Sequence, residues 1–210
     1  MIDRTRYVLS TATEFIRKNV KSIPVDIFSL CVDCGVSLVP LSQMIRDGFD
    51  ANVVFGLWGN PDGTSSLWKG KAVIAYNDSM PNNRVRFTLA EELMHILLGH
   101  LGDSRFNMFS QEFDEKTYAQ YEHEAKMAAG MLLCPPKFFY TFEDELNPYW
   151  LSEFCSISES CAERTILDYR ENRDRIKGLP SFHASINPKY NHKRMWWYRS
   201  SRHGELYEVL

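Results

Sequence analysis

Apolar side chains near the N-terminus recur at the three- and four-residue spacing of a helix with one buried face. This pattern predicts a first helix over residues 4–20. A second helix is predicted to begin in the segment Ile23-Pro24-Val25-Asp26, with Pro24 in its first turn, where a proline costs no hydrogen bond. Glycine commonly follows the last turn of a helix, so this helix is expected to end at Gly35.

The chain then changes to short segments rich in β-branched and aromatic residues. Residues 36–40, 51–58 and 67–76 have this composition, which favours strands. The sequence Gly-Asn-Pro-Asp-Gly at 59–63 is typical of a turn. We therefore predict an early strand beside one β-hairpin that turns at 59–63.

Helical periodicity returns in the second half of the chain. A helix is predicted from about residue 84 to 100, with Asn82 or Asn83 as its N-cap, and another over 116–133, where two prolines stop it. Further elements are expected to be helices at about 136–145, 148–155 and 158–176, and a terminal hairpin over 195–210.

This order of elements indicates an α+β protein. The chain has 210 residues, 44% of them hydrophobic, which is enough for one sizeable core. We predict a core domain over residues 1–177 and a C-terminal β-hairpin appendage over 178–210.

Composition restricts the partners and the compartment. A net charge of −3 gives no general attraction to nucleic acid or to an anionic membrane. No apolar run approaches the roughly 20 residues that span a bilayer, and the charged N-terminus is not followed by the apolar segment of a secretion signal. Five cysteines, an odd number, indicate reduced thiols. We expect a cytoplasmic protein.

The segment Glu91-Glu92-Leu93-Met94-His95 differs by one residue from the HExxH motif of zinc peptidases. In that motif two histidines one helical turn apart bind the metal, and the glutamate after the first acts as general base. Here Glu92 occupies the position of the base, His95 that of the second ligand, and Glu91 that of the first ligand. Residues four apart lie about 40° apart around a helix, so Glu91 and His95 point the same way.

The helix over 116–133 offers the third ligand. Periodicity places Glu124 on its inward face and Glu122 roughly opposite, whereas His123 is about a quarter-turn away. Glu124 is therefore the predicted third ligand and His123 the weaker candidate. His100 is predicted to face away from His95 and to interact with the helix dipole.

Two states of this cluster stay open. Without a metal, Glu91, His95 and Glu124 would form a hydrogen-bonded polar cluster whose crowded carboxylates need protons or a cation. With a metal, two carboxylates and one imidazole leave a divalent centre neutral, which acidifies a bound water less. Such a set also shifts preference from zinc toward Mn²⁺ or Fe²⁺.

Several segments before and after the HExxH-like motif occur in an order that points to one protein family. They are Ile23-Pro-Val-Asp26, Gly35-Val-Ser-Leu-Val39, Arg84-Val-Arg-Phe-Thr-Leu-Ala90, Glu124-Ala125 with Ala129 and Leu132-Leu-Cys-Pro135, and Phe154-Cys-Ser-Ile-Ser-Glu159 with Arg164. Together they resemble the ImmA/IrrE family of metallopeptidases over roughly residues 20–170.

The resemblance implies a zincin-like core, in which the metal helix packs on a small sheet. It also implies a zinc endopeptidase that cuts or inactivates a helix-turn-helix repressor, in stress regulation or on mobile elements. The ligands would be Glu91, His95 and Glu124, and Glu92 the base. The replacement of the first histidine by Glu91 leaves it open whether the site binds metal and is active.

Two other functions are compatible with the sequence. The first is a catalytically inactive relative that binds a repressor or antitoxin through the former substrate cleft. The second is DNA binding through residues 150–176, where Ile157-Ser-Glu-Ser-Cys-Ala162 has some helix-turn-helix character. Basic residues in that segment alternate with acidic ones, so direct binding of nucleic acid is not expected.

Overall fold

Helices make up most of the described residues and pack against a small sheet. The computed structural model describes residues 3–50, 53, 62–107, 110–136, 146–180 and 185–186. The helices are α1 (Arg4–Asn19), α2 (Ile27–Asp33), α3 (Leu41–Arg46), α4 (Asn82–Leu97), α5 (Glu115–Leu133), α6 (Pro148–Cys155), α7 (Glu159–Glu171) and α8 (Arg173–Lys177). The strands are β1 (Ser22–Ile23), β2 (Ser37–Pro40), β3 (Gly63–Trp68), β4 (Lys71–Tyr76) and β5 (Ser185–Ile186). The protein is α+β, as predicted.

The first two helices lie where they were expected, with one correction. Helix α2 starts at Ile27 because the Asp26 side chain accepts a hydrogen bond from Ser29 N and caps the helix. Pro24 therefore lies before the helix, beside β1, and the predicted position in the first turn is wrong. Gly35 adopts a positive φ of 75° directly after α2, which confirms the predicted end.

The main sheet has the order β2-β4-β3, with β2 parallel and β3 antiparallel to β4. The hairpin turns at Lys69 and Gly70, which have φ values of 51° and 76°, and not at 59–63 as predicted. Strand β3 begins with hydroxyl-bearing residues on a partly exposed edge, and a search for apolar alternation misses such a strand. The strand predicted over 51–58 lies outside the described residues, except for Val53.

Helix α4 carries the HExxH-like segment and packs against both the sheet and α5. It begins at Asn82 after Pro81, whose side chain offers no cap, so the prediction of an asparagine N-cap is wrong. Gly99, with a φ of 78°, ends the helix. A Cβ on Gly63 of β3 would lie 2.7 Å from Thr88 Cγ2 and 2.8 Å from Ala75 O. Glycine at this position therefore permits the close contact of β3 with α4.

Arg86 fixes α4 from the other side and is only 1% exposed. Its guanidinium donates hydrogen bonds to Val25 O at 2.9 Å, Ser156 O at 3.0 Å and Cys155 O at 3.4 Å. One buried cation thus joins the start of α2 and the end of α6 to the helix of the site. Sequence reasoning gave this residue no structural role.

The C-terminal helices follow the prediction in part. Helix α6 matches the expected 148–155, but the helix predicted over 158–176 is interrupted at Asn172 between α7 and α8. The helix predicted over 136–145 and the terminal hairpin lie outside the described residues, apart from Pro136. Strand β5 pairs in parallel with β1. The division of domains at 178 stays a prediction. Among the described residues, no helix is both long and apolar enough to cross a membrane.

Candidate metal centre

Two helices bring three potential metal ligands together. Glu91 and His95 project from α4 and Glu122 from α5, and one ligand atom of each lies within 4.8 Å of the others. His95 is 2% exposed, and its Nε2 lies 3.4 Å from Glu122 Oε1. The predicted proximity of Glu91 and His95 is therefore present, with Glu122 as the third member.

Glu124 faces a different neighbour. Its carboxylate accepts hydrogen bonds from Arg4 Nε at 3.1 Å, Arg4 Nη2 at 2.5 Å and Gln120 Nε2 at 2.8 Å. The expectation that Glu124 joins Glu91 and His95 does not agree with this geometry. Helix α5 packs against α4, α1 and α7, so more than one of its faces is buried. The spacing of apolar residues in α5 predicted as inward the face that packs against α1. Glu122, the third potential ligand, lies on the face toward α4.

His100 connects these two faces. Its Nδ1 lies 3.0 Å from His95 Nδ1, and its Nε2 lies 3.3 Å from Glu124 Oε2. The prediction that His100 faces away from His95 is therefore wrong. Gly99, in the left-handed conformation, turns the chain back so that His100 returns to the site.

The protons of this network can be assigned from its partners. Burial opposes ionisation of Glu124, but hydrogen bonds from Arg4 and Gln120 outweigh it and lower its pKa. Burial, with repulsion from His95, lowers the pKa of His100, which keeps this ring neutral. Neutral His100 donates from Nε2 to the Glu124 carboxylate, so its Nδ1 accepts from His95 Nδ1. His95 Nε2 is then left to face Glu91 and Glu122.

Aromatic side chains hold both imidazole rings. His95 stacks on Phe106 with centroids 4.9 Å apart, and His100 stacks on Tyr121 at 4.1 Å. The Tyr121 hydroxyl donates to Asp103 Oδ2 at 2.8 Å, which fixes that ring in turn. The rings are therefore oriented before any ligand arrives.

Lys126 supplies positive charge to the cluster. Its Nζ lies 2.9 Å from Glu122 Oε2 and 3.6 Å from Glu91 Oε1. Burial raises the pKa of Glu91 to about 7, against the opposing effect of Lys126. Burial also opposes ionisation of Glu122, but hydrogen bonds with His95 and Lys126 lower its pKa to about 2. Glu122 is thus the firmly anionic member of the cluster.

Glu92 points to the sheet side of α4. It is 7% exposed, and it accepts a hydrogen bond of 2.6 Å from Ser65 Oγ of β3. Burial raises the pKa of Glu92. A carboxylate with a raised pKa, held by one hydroxyl, is suited to accept a proton from water.

A groove of about 710 Å³ opens beside these residues. Strand β3 forms one wall, and Phe106 and Tyr118 lie on the other side; Glu92, His95 and Glu122 line it as well. In the described part of the chain no strand pairs with the outer edge of β3. Among the described residues, the groove therefore presents an unpaired strand edge next to acidic and imidazole side chains.

The donor atoms suit a divalent ion. If His95 Nε2 carries no proton, it and the Glu122 carboxylate are two acceptors 3.4 Å apart, and only a proton or a cation between them makes the contact favourable. One imidazole nitrogen and two carboxylates are ligands found in zinc, manganese and iron sites. Glu91, His95 and Glu122 are the residues that would hold such an ion.

Comparison with known proteins agrees with the motif and the fold. The family model of the IrrE N-terminal-like domain matches residues 46–166, which is more than half of the chain and includes β3, β4, α4, α5 and α6. A search of curated proteins finds no match. The matched segment contains all three potential ligands and Glu92, and the chain belongs to the ImmA/IrrE family of metallopeptidase-like domains.

Proposed function

We propose that this domain binds a divalent metal ion through Glu91, His95 and Glu122 and hydrolyses an extended protein segment in the adjoining groove. The observation that carries this proposal is the convergence of three ligand atoms within 4.8 Å beside a buried Glu92. Glu122 takes the ligand role that the sequence suggested for Glu124. Glu124 instead acts through His100 to orient His95.

Each residue of the site has a distinct task. The bound ion would polarise the scissile carbonyl and acidify a water molecule. Glu92 removes a proton from that water and passes it to the leaving amine. Ser65 holds Glu92 in place by the hydrogen bond to its carboxylate. Tyr118 lines the same groove, and its hydroxyl is the proposed donor to the oxyanion.

The shape of the groove supports an extended peptide as substrate. A peptide that adds to the outer edge of β3 gains main-chain hydrogen bonds over Gly63–Trp68. Leu67 and Trp68 at the end of this strand are 56% and 68% exposed and offer apolar contacts. Membership in the family makes a helix-turn-helix repressor the proposed source of this peptide.

A second candidate is an inactive domain that binds the same partner without cutting it. The presence of Glu91 at the first ligand position favours this candidate, because a second carboxylate neutralises a divalent centre and makes its water less acidic. The ammonium of Lys126 near both carboxylates favours it as well. Both candidates share the groove and differ in whether metal binds and bond cleavage follows.

Titration calorimetry of the full chain with Zn²⁺ and Mn²⁺ tests the proposal. We expect one bound ion per chain, and Glu122→Gln should weaken binding by at least about tenfold because a charged ligand is lost. Glu163→Gln, on an exposed part of α7, is the matched control and should bind like the natural chain. A natural chain that binds neither ion would refute metal-dependent hydrolysis as its function.

Cleavage distinguishes the two candidates. The natural chain, loaded with metal, should cut a helix-turn-helix repressor that it binds, and Glu92→Gln should bind that protein without cutting it. Equal binding by both chains, with no cleavage by either, would favour the inactive binding domain.

A further inference from the structure

Lys126 occupies a position between the two carboxylates of the candidate metal centre. It lies one turn after Glu122 on α5, and its ammonium contacts Glu122 on its own helix and Glu91 on α4. The distances are 2.9 Å to Glu122 Oε2 and 3.6 Å to Glu91 Oε1. A single side-chain cation thus links the acidic ligands of both helices.

The same carboxylates serve the ammonium and a metal ion. The Glu91 and Glu122 side chains are 12% and 21% exposed, so their mutual repulsion is costly without a nearby cation. An ammonium has three donors and no acceptor, so it cannot become a ligand while it keeps its protons. A divalent ion and Lys126 would repel each other at this separation.

We propose that Lys126 is a built-in counter-cation that stabilises the metal-free centre and moves out toward solvent when a divalent ion binds. This inference rests on the proposed function, in which Glu91, His95 and Glu122 hold the ion. Lys126 and the metal ion therefore compete for the same two carboxylates. The site stays folded without metal, and it binds metal less tightly than its three ligands would bind it without Lys126.

The exposure of Lys126 permits this exchange. Its side chain is 50% exposed, whereas the ligand His95 is 2% exposed. A long side chain at the rim can rotate into water without opening the core. Among the contacts described, Lys126 touches only the carboxylates of the centre. Its movement therefore leaves the contact between His95 and His100 unaffected.

Variants of Lys126 separate its charge from its size. Lys126→Met keeps the length of the side chain and removes the charge, while Lys126→Arg keeps the charge. Lys116→Met removes an exposed lysine from the same helix and serves as the matched control. Circular dichroism of each variant verifies that it folds.

Calorimetric titration with Mn²⁺ and Zn²⁺ gives the main result. We expect Lys126→Met to bind at least about tenfold tighter than the natural chain, because the competing charge is gone. Lys126→Arg and Lys116→Met should bind like the natural chain. Metal-free Lys126→Met should also melt about 2–4 °C lower, and metal should restore its melting temperature.

The outcomes distinguish the two claims. If Glu122→Gln weakens metal binding but Lys126→Met leaves it unchanged, the metal site stands and the role of Lys126 is overturned. If neither the natural chain nor Lys126→Met binds either ion, the proposed metal site fails and this inference fails with it. Binding by Lys126→Met alone would support the competition in its strongest form.

Discussion

Glu91 is the residue that sets this centre apart from an HExxH site. A carboxylate in place of an imidazole adds one negative charge next to Glu122, and it replaces a softer nitrogen donor by oxygen. Lys126 lies 3.6 Å from Glu91 Oε1, where it offsets that charge. An ammonium this close to a dication would be repelled in a site formed by two histidines and one glutamate. The positive charge of Lys126 therefore goes together with the extra negative charge of Glu91.

Replacement of Glu91 by histidine should change the metal preference. Glu91→His restores the HExxH pattern and raises the charge of the site by one, so zinc affinity should rise by at least about tenfold. Competition with a chromogenic chelator measures this affinity.

Glu91→Gln provides the control for charge. It relieves the same repulsion between carboxylates without adding a nitrogen ligand. Any gain in zinc affinity of Glu91→His over Glu91→Gln therefore comes from the histidine as a ligand. Equal zinc affinity in the natural chain and in Glu91→His would contradict the role given to Glu91. Glu92→Gln combined with Glu91→His should keep the zinc and lose cleavage.

Among the helices, α5 shows how one element serves two buried surfaces. Its face toward α4 carries Glu122 and Lys126, and its face toward α1 carries Gln120 and Glu124. The Glu124 carboxylate is bound by Arg4 and contacts His100, which in turn contacts His95. Helix α1 is therefore connected to His95, a proposed metal ligand, through a chain of polar contacts.

Removal of Arg4 tests this connection. Arg4→Met leaves a 4% exposed Glu124 without its guanidinium partner, which should destabilise the protein by about 1–3 kcal/mol. Metal affinity should fall too, since His100 and, through it, His95 lose the contacts that orient them. Urea unfolding and metal titration measure the two effects. Arg6→Met changes an exposed residue of the same helix and should alter neither the stability nor the metal affinity. If it had the same effects as Arg4→Met, the proposed connection from Arg4 through Glu124 and His100 to His95 would be refuted.

Arg86 has a structural effect of similar kind at the start of α4. Arg86→Met removes a 1% exposed guanidinium and leaves three carbonyl acceptors without a donor. We expect a loss of about 1–3 kcal/mol of unfolding free energy, because buried carbonyls are left unsatisfied. Arg84→Met, which removes a half-exposed ion pair with Asp62, should cost less than about 1 kcal/mol. If chemical denaturation showed similar losses of unfolding free energy for Arg86→Met and Arg84→Met, the role of Arg86 would be contradicted.

The sequence predicted those elements whose signals are local. The spacing of Glu91 and His95 and the glycine that ends α2 depend on residues within one or two turns. Glu122 was missed because the partners of a helix are set by the whole fold, and α5 packs against three helices, α1, α4 and α7. His100 was missed because a left-handed glycine reverses the chain, which helical periodicity cannot include. Ser65 was missed because hydroxyl residues on an edge strand give a weak strand signal.

At the scale of the whole molecule, α4 lies between the sheet and α5, and its two sides have different chemistry. The side toward β3 presents Glu92, which Ser65 holds by a hydrogen bond. The side toward α5 presents Glu91 and His95 to Glu122. The proposed base and two of the three proposed ligands, Glu91 and His95, thus lie on one helix, and the groove along β3 reaches Glu92 and His95. This arrangement needs no movement of the core to bring a bound strand to the base.

Anomalous X-ray diffraction from crystals grown with Mn²⁺ or Zn²⁺ tests the central claim most directly, because it locates the ion and its ligands together. The account predicts one strong peak about 2.0–2.2 Å from His95 Nε2 and from carboxylate oxygens of Glu91 and Glu122, with Lys126 turned to solvent. Glu124 should keep its contacts with Arg4 and His100. A peak bound by Glu124, or an ordered protein with no peak between α4 and α5 at saturating metal, would contradict it.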